Sequence, residues 1–168
     1  MTNIVVMGVA GCGKSSLGQA LAASLAYRYV EGDAHHSPES IAKMRAGSPL
    51  TDADRSAWLA VLGAQLANES QTVLACSALK RRYRDQLRAA SPGLNVVFLD
   101  INRELAMQRV AARGDAHLFP VSLVDSQFAT LESPVHEARV LRVDAALPPE
   151  QQLSQALIWL NGDTPDEC

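Results

Sequence analysis

An eight-residue segment near the amino terminus constrains the fold of this 168-residue chain more than any other feature. Residues 8–15 read Gly-Val-Ala-Gly-Cys-Gly-Lys-Ser and fit the phosphate-binding loop pattern G-x-x-x-x-G-K-[ST] at every fixed position. The apolar run at 4–7 predicts a buried parallel strand before the loop, and Leu17, Leu21 and Leu25 predict one face of a helix after it. This context favours nucleotide binding over a purely structural glycine turn.

The residue types of the loop explain how it would hold phosphate. Glycines let the backbone turn successive N–H groups toward an anion, and the helix that begins near Lys14 directs its positive dipole end to the same place. Lys14 adds a charge for the β- and γ-phosphates, and the Ser15 hydroxyl is placed to bind Mg²⁺. The predicted nucleotide-binding residues are Gly8, Val9, Ala10, Gly11, Cys12, Gly13, Lys14, Ser15 and Ser16, with Ser15 also the metal ligand.

Charge and cysteine content narrow the class of protein. The formal net charge is −3, so the chain has no general attraction to nucleic acid or to anionic membranes. No apolar stretch is long enough to span a bilayer, and the amino terminus enters its first strand without room for a signal peptide. Cys12, Cys76 and Cys168 are odd in number and lack C-x-x-C spacing, which is typical of a reducing compartment. We expect a single cytoplasmic domain over residues 1–168 that binds neither nucleic acid nor membrane.

Strand-like and helix-like segments alternate along the chain, which predicts an α/β domain around a parallel sheet. Further strands are predicted at 27–30, 72–76, 96–99 and 139–143, the second of the chain ending in Glu31-Gly32-Asp33. Ser37 before Pro38 predicts one helix start, and Asn102 predicts another. Thr51 with Asp54 is a variant capping box, and residues 122–131 are predicted to be helical.

Three classes of phosphate-loop protein are compatible with the motif. A GTPase should carry [N/T]-K-x-D after a late strand, and the chain has no such tetrapeptide. A motor or clamp ATPase should end a core strand in an acidic residue; Asp100 imitates this, but Cys76-Ser77 occupies the earlier position, so Asp100 is interpreted as a strand-end residue. A small kinase needs an acceptor site and a basic lid. A regulatory or nucleic-acid-dependent ATPase remains the alternative from another class.

Asp33 is the first candidate for the acceptor site. Ligands of open α/β sheets lie beyond the carboxyl ends of the strands, where a carboxylate can accept the proton of an acceptor hydroxyl. The alternative is a turn residue that simply follows Gly32. His36, Lys43 and Arg45 come soon after, and a solvated charged face would explain the last two equally well.

Two pairs of basic residues complete the pattern. Lys80 and Arg84 are four positions apart on one helix face, which suits an anionic substrate because arginine binds carboxylates in bidentate fashion. Arg109 and Arg113 have the same spacing and lead into an irregular stretch, as in a lid that carries charge to the transferring phosphoryl group. A solvated basic surface is the alternative for either pair.

At these positions the sequence resembles the gluconate kinase family. The similarity runs from residue 4 to about 145 and includes motifs that are not general features of phosphate-loop proteins. These motifs are Glu31-Gly32-Asp33, His36, Ile41-Ala42-Lys43-Met44, Pro49-Leu50-Thr51-Asp52, Asp54-Arg55, Trp58-Leu59, Cys76-Ser77-Ala78-Leu79-Lys80, Tyr83-Arg84, His117 and Ser126-Gln127-Phe128-Ala129-Thr130-Leu131-Glu132.

The resemblance implies phosphorylation of the 6-hydroxyl of D-gluconate by ATP with Mg²⁺, and a related kinase such as a shikimate kinase is the alternative. It implies a P-loop NTPase of the nucleoside-monophosphate-kinase type, with a parallel five-stranded sheet of order 2-3-1-4-5 flanked by helices, and a homodimer. An acceptor-binding excursion over about 34–66 and a lid over about 110–122 are also implied. Asp33 becomes the general base, with Lys14, Arg109 and Arg113 as further catalytic residues. The implied acceptor-binding residues are Asp33, His36, Arg45, Lys80, Arg84, His117 and Gln127.

Two local departures from the family pattern stand near the site. Ser37 follows His36 where the family usually has proline, and His35 is an additional histidine. The segment between Arg113 and His117 is one residue longer than usual, which affects the match at Arg113 more than that at Arg109.

Overall fold

A parallel sheet organises the computed structural model, which describes residues 2–113 and 121–162. The strands of these residues are β1 (Ile4–Met7), β2 (Arg28–Glu31), β3 (Thr72–Ala75), β4 (Asn95–Asp100) and β5 (Val140–Asp144). Their order is β2-β3-β1-β4-β5, and every pairing is parallel. The predicted order 2-3-1-4-5 is confirmed, and β1 lies at the centre because Val5 aligns with Leu74 on one side and Val96 on the other.

Helices connect the strands and cover the sheet. They are α1 (Lys14–Leu25), α2 (Pro38–Arg45), α3 (Asp52–Asn68), α4 (Arg81–Ala90), α5 (Arg103–Arg113), α6 (Val124–Thr130) and α7 (Pro149–Leu160), with short 3₁₀ turns at Gly32–His35 and Val121–Leu123. Within the described ranges, none of these helices combines the length and apolar character needed to cross a membrane.

The core has two layers, one on each face of the sheet. Successive side chains of a strand point to opposite faces, so both faces of the central strand must be apolar. Ile4 and Val6 of β1 pack in the layer that contains Leu21 of α1. Val5 packs in the other layer, which contains Leu59 of α3. Burial of each such side chain contributes about 1.5–3 kcal/mol to folding, so the sheet edge that carries the site is fixed from both sides.

The predicted helix starts are confirmed. The Ser37 hydroxyl accepts a hydrogen bond from the Ser40 N–H at 3.1 Å. Thr51 and Asp54 form the reciprocal capping box at the start of α3. The Asn102 carboxamide accepts from the Leu105 N–H at 2.8 Å. These caps satisfy N–H groups that have no partner within their own helices.

The structure corrects two local predictions. The second strand ends at Glu31, and Asp33 lies in the 3₁₀ turn that follows rather than in the strand. The Gly32 carbonyl is taken by the Trp58 indole N–H at 2.8 Å, so it is not available to the sheet. Residues 122–131 do not form one helix, because a 3₁₀ turn ending at Leu123 precedes α6 and the chain becomes extended at Leu131.

Candidate active site

The loop between β1 and α1 adopts a conformation that needs its glycines. Gly11 has φ +84°, and a Cβ there would lie 2.9 Å from the Ala106 carbonyl oxygen. Gly8 has φ +151°, and a Cβ there would lie 2.8 Å from the Leu99 carbonyl oxygen. Because α1 begins at Lys14 directly after the loop, the first N–H groups of the helix have no partners within the helix and are directed toward the loop.

Gln127 of α6 holds this loop in place. Its side-chain oxygen accepts a hydrogen bond from the Ala10 N–H at 2.7 Å, and the side chain is buried. This bond restrains the loop backbone at Ala10, so Gln127 shapes the loop as well as lining the cleft described below. The sequence predicted Gln127 as an acceptor-site residue and did not predict this contact.

Glu31 lies at the end of β2 beside the loop serine. Its Oε2 accepts from the Ser15 hydroxyl at 2.6 Å and from the Tyr29 hydroxyl at 2.6 Å. Its Oε1 is buried and has no hydrogen-bond partner among the described residues. Burial together with the bond to Glu31 raises the pKa of the Tyr29 phenol above its usual value.

The Ser15 and Glu31 oxygens fit a magnesium ion in chemistry. A hydroxyl and a carboxylate are the hard oxygen donors that Mg²⁺ takes from proteins, and the ion usually keeps water and substrate phosphates as its other ligands. Sequence reasoning gave Glu31 no role of its own. The signal was present, because Tyr29 and Glu31 are two positions apart and therefore on one face of the strand.

A cleft opens between the loop and the helix pair α2–α3. Among the predicted residues, it brings together Ala10, Lys14, Asp33, His36 and Gln127. Its remaining lining combines apolar residues with a few polar ones: Met44, Pro49, Leu50, Arg55, Trp58, Ser77, Leu123 and Ser126. A concave, mostly apolar site with a few convergent polar groups is the usual form of a small-molecule pocket.

The His36 ring fixes the geometry around Asp33. It stacks on the Trp58 indole with ring centroids 4.2 Å apart and an interplanar angle of 19°. Its Nε2 lies 3.6 Å from Asp33 Oδ1, which is longer than a hydrogen bond but within ion-pair distance. The His36 side chain is 3% exposed and that of Asp33 is 28% exposed, so the carboxylate is the member of the pair that faces the open cleft.

Arg55 is the arginine of α3 that lines this cleft, and sequence reasoning assigned it no role. Its guanidinium lies 5.7 Å from the ring centre of Tyr83 and donates to the Tyr83 hydroxyl at 3.4 Å. Tyr83 in turn donates to Asp52 at 2.5 Å. The spacing of Arg55 and Trp58, three positions apart on one helix, was the available signal that both face the cleft.

The structure does not bring Arg45, Lys80 or Arg84 to this cleft. Arg45 is exposed near the end of α2. Lys80 precedes α4, lies 3.4 Å from Asp52 and stands over the Tyr83 ring at 5.8 Å. Hydrogen bonds from Arg82 and Tyr83 hold the pKa of the Asp52 carboxyl well below its usual range, so this exposed cluster pairs its own charges.

Arg84 of α4 is buried against the segment that precedes the helix. Its side chain is 1% exposed, and its guanidinium donates to the carbonyl oxygens of Ala78 at 2.8 Å, Leu79 at 3.0 Å and Glu132 at 2.9 Å. It also forms a bidentate pair with Glu137 at 3.0 and 2.5 Å. A guanidinium with this many acceptors is saturated, so the spacing of four from Lys80 did not place the two residues on a common ligand.

Arg109 and Arg113 lie on the other side of the loop, in a second cleft. The Arg109 guanidinium donates to the carbonyl oxygens of Gly11 at 3.2 Å and of Ala145 at 2.9 Å. The same cleft is lined by Arg113 and by apolar and amide groups that sequence reasoning did not find: Leu147, Pro149 and Gln152. The segment predicted as the lid falls mostly outside the described residues, as does His117.

Asp100 takes no part in either cleft. It ends β4, and its carboxylate accepts from the Arg142 Nε of β5 at 2.7 Å. This pairing agrees with its interpretation as a strand-end residue.

Comparison with known proteins places this arrangement in a family. A gluconokinase of Gluconobacter oxydans (strain 621H) is 41% identical over 158 residues, which is 92% of this chain and 88% of that protein. The chain belongs to the gluconokinase family. A thermosensitive gluconokinase of Escherichia coli (strain K12) is 38% identical over 84% of this chain and 78% of its own length.

A solved structure and a match to a family model agree with this fold. The crystal structure of a gluconokinase from Sinorhizobium meliloti 1021 matches with a TM-score of 0.88 and 47% identity, covering 96% of this chain and 92% of that chain. The model of the shikimate kinase family matches residues 10–158. Membership of the gluconokinase family and the fold of a P-loop kinase, both predicted from the sequence, are therefore confirmed.

Proposed function

We propose that this family member transfers the γ-phosphoryl group of ATP to the 6-hydroxyl of D-gluconate, giving 6-phospho-D-gluconate and ADP. The observation that carries the proposal is that Asp33 and Lys14 line one cleft. A carboxylate and a phosphate-binding lysine on either side of one space are what a kinase needs to bring an acceptor hydroxyl to a phosphoryl group. The family relatives named gluconokinase supply the identity of the acceptor.

Asp33 serves as the general base in this proposal. Its carboxylate takes the proton of the acceptor hydroxyl as the hydroxyl oxygen forms a bond to the γ-phosphorus. The bond from that phosphorus to the bridging oxygen breaks, and its electrons leave with ADP. Lys14 and the loop N–H groups stabilise the charge on the phosphates during the transfer.

Ser15 and Glu31 are the residues that would hold Mg²⁺. The ion would neutralise charge on the β- and γ-phosphates and hold them in place. The Ser15 hydroxyl already donates its proton to Glu31, so its oxygen lone pairs are free to face a cation. The buried Glu31 Oε1 has no hydrogen-bond partner among the described residues, so the carboxylate has an acceptor atom available for a cation.

Arg55 is the best candidate for reading the carboxylate of the sugar acid. It is the arginine on the α3 side of the acceptor cleft, and arginine binds carboxylates through two parallel hydrogen bonds. His36 and Gln127 would contact the acceptor from the opposite walls. The α2–α3 segment would then serve as the acceptor-binding excursion predicted at about 34–66.

The second cleft would take the nucleoside part of ATP. It adjoins the loop at Gly11 and Gly13 and offers apolar surface from Leu147 and Pro149. Arg109 and Arg113 would approach the phosphates from this side, which is consistent with their predicted catalytic role.

We further propose that the protein forms a homodimer. We also propose a reducing, cytoplasmic location, which the buried free thiols of Cys12 and Cys76 support.

ADP release with Mg-ATP tests the proposal against a panel of D-gluconate, related sugar acids, shikimate and no acceptor. We expect turnover with gluconate and at least about a hundredfold loss of kcat in Asp33→Asn with nucleotide affinity unchanged. Asp85→Asn is the matched control, because Asp85 is an exposed partner of Arg81 and Arg88 far along α4. Turnover confined to shikimate would replace the acceptor, and hydrolysis that ignores every acceptor would refute the kinase assignment.

A further inference from the structure

Trp58 makes two contacts that converge on the proposed base. Its indole N–H donates to the Gly32 carbonyl at 2.8 Å, and Gly32 is the residue before Asp33. Its ring face carries the stacked imidazole of His36, whose Nε2 lies 3.6 Å from the Asp33 carboxylate. One contact therefore restrains the backbone that bears Asp33, and the other restrains the side chain that faces it.

The turn at Gly32 cannot relax away from these restraints. A Cβ at this position would lie 2.5 Å from the Ala75 carbonyl oxygen, so the turn is pressed against the end of β3. On its other side the Gly32 carbonyl is held by Trp58, which is itself 5% exposed. The backbone before Asp33 is thus fixed between a strand and a helix.

The stacked His36 ring leaves one of its nitrogen atoms without a hydrogen bond. Its Nδ1 is buried and finds no hydrogen-bond partner among residues 2–113 and 121–162. Since buried ring nitrogens nearly always find partners, such an atom calls for an explanation at a functional site. The ring position is explained if its purpose is to hold Nε2 opposite Asp33.

We propose that Trp58 is a positioning residue for phosphoryl transfer, acting on Asp33 through the Gly32 carbonyl and the stacked His36 ring. This inference rests on the proposed function of Asp33 as base. Trp58 and Arg55 share one face of α3, so the helix that offers a cation to the acceptor also orients the carboxylate that deprotonates it. Displacement of a base by about 1 Å can cost about a hundredfold in rate, because transfer requires close alignment with the hydroxyl.

The test is a double-mutant cycle on kcat with gluconate. Trp58→Phe keeps an aromatic face for His36 and removes the indole N–H from the Gly32 carbonyl. We expect kcat to fall about tenfold or more, with KM for gluconate and for ATP within about threefold of the wild type. In an Asp33→Asn background the same substitution should lower kcat by less than about twofold, since the carboxylate that it positions is gone.

A second variant and a control complete the design. His36→Phe keeps the stacked ring and removes Nε2, and it should show the same dependence on Asp33. Trp159→Phe, the other tryptophan of the chain, should leave kcat unchanged and makes Trp58 the sole tryptophan, whose fluorescence should respond to His36→Phe. The comparison remains valid even if Trp58→Phe lowers the fraction of folded protein. That loss reduces kcat by the same factor with and without the Asp33 carboxylate, so only a difference between the two backgrounds reports on positioning.

Different outcomes would refute the role of Trp58 and the proposed kinase activity. Equal loss of kcat with and without the Asp33 carboxylate would show that Trp58 acts only on stability and would overturn the inference. Unchanged kcat in both Trp58→Phe and His36→Phe would also overturn it. A wild-type protein that turns over no gluconate would instead refute the proposed function.

Discussion

Replacing Arg84 with methionine tests whether this residue serves the fold or the acceptor. The change removes a guanidinium that donates to three carbonyl oxygens, those of the buried Ala78 and Leu79 among them, and to the Glu137 carboxylate. It keeps much of the side-chain volume. Breaking a buried ion pair by removing one partner costs about 3–5 kcal/mol. We expect a loss near the middle of that range. Arg88 still donates to Glu137 at 2.8 Å, and the Glu132 N–H still donates to the Leu79 carbonyl at 2.8 Å. The buried Ala78 carbonyl loses the guanidinium as its donor, which adds a desolvation cost.

A loss of this size is large for a domain of 168 residues. Total stability is typically about 5–15 kcal/mol, and each kcal/mol lowers Tm by roughly 2–4 °C in proteins of this size. Urea unfolding followed by circular dichroism should show a lower midpoint, and a thermal melt should show a Tm lower by roughly 6–20 °C. KM for gluconate, measured well below Tm, should stay within about threefold of the wild type.

Arg81→Met is the matched control, because Arg81 lies on the same helix with its side chain 69% exposed. That variant should remain within about 0.5 kcal/mol of the wild type. An Arg84→Met protein with an unchanged Tm and a KM for gluconate raised about tenfold would refute the reasoning. It would show that the guanidinium reaches the acceptor rather than the buried carbonyls.

Three further predictions concern neighbouring parts of the structure. Burial alone would raise the pKa of Glu137, but hydrogen bonds from Arg84 and Arg88 outweigh it and lower the pKa. The ionised carboxylate therefore contributes its full stabilisation above the unfolded pKa of 4.5, and that contribution is lost as pH falls. The free energy of unfolding, measured from pH 7 to pH 3, should depend less on pH in Glu137→Gln than in the wild type. Gln127→Met should raise KM for ATP several-fold by freeing the Ala10 N–H, whereas an unchanged KM for ATP would show that this bond does not shape the loop. Gly32→Ala should lower kcat and Tm together, because its Cβ would meet a carbonyl oxygen at 2.5 Å; normal kcat would show that the turn can move freely.

Sequence reasoning predicted the features that depend on local chemistry. The loop, the order of the strands and the three helix caps each follow from a few neighbouring residues or from a family pattern, and the structure confirms them. Lys14, Asp33, His36 and Gln127 were named from the sequence and lie together around one cleft.

The missed features depend on partners distant in the chain. Arg84 and Lys80 looked alike by spacing, and what separates them is that Arg84 meets Glu137, 53 positions later, in a buried environment. Trp58 belongs to a family motif found in the sequence, but its bond to the Gly32 carbonyl spans 26 positions and no periodicity reveals it. The second cleft uses Leu147 and Pro149, residue types that carry no signature of a nucleoside site.

The hydrogen bond between the Ala10 N–H and Gln127 has a consequence for biosynthesis, since its ends are 117 positions apart. The phosphate-binding loop leaves the ribosome before α6, because it precedes α6 in the chain. β1 likewise acquires its neighbour β4 only after residue 95 has been made. We therefore expect a nascent chain that ends before α6 to lack the hydrogen bond that holds the loop at Ala10. We expect full competence to bind nucleotide to arise when the second half of the domain has folded onto the first.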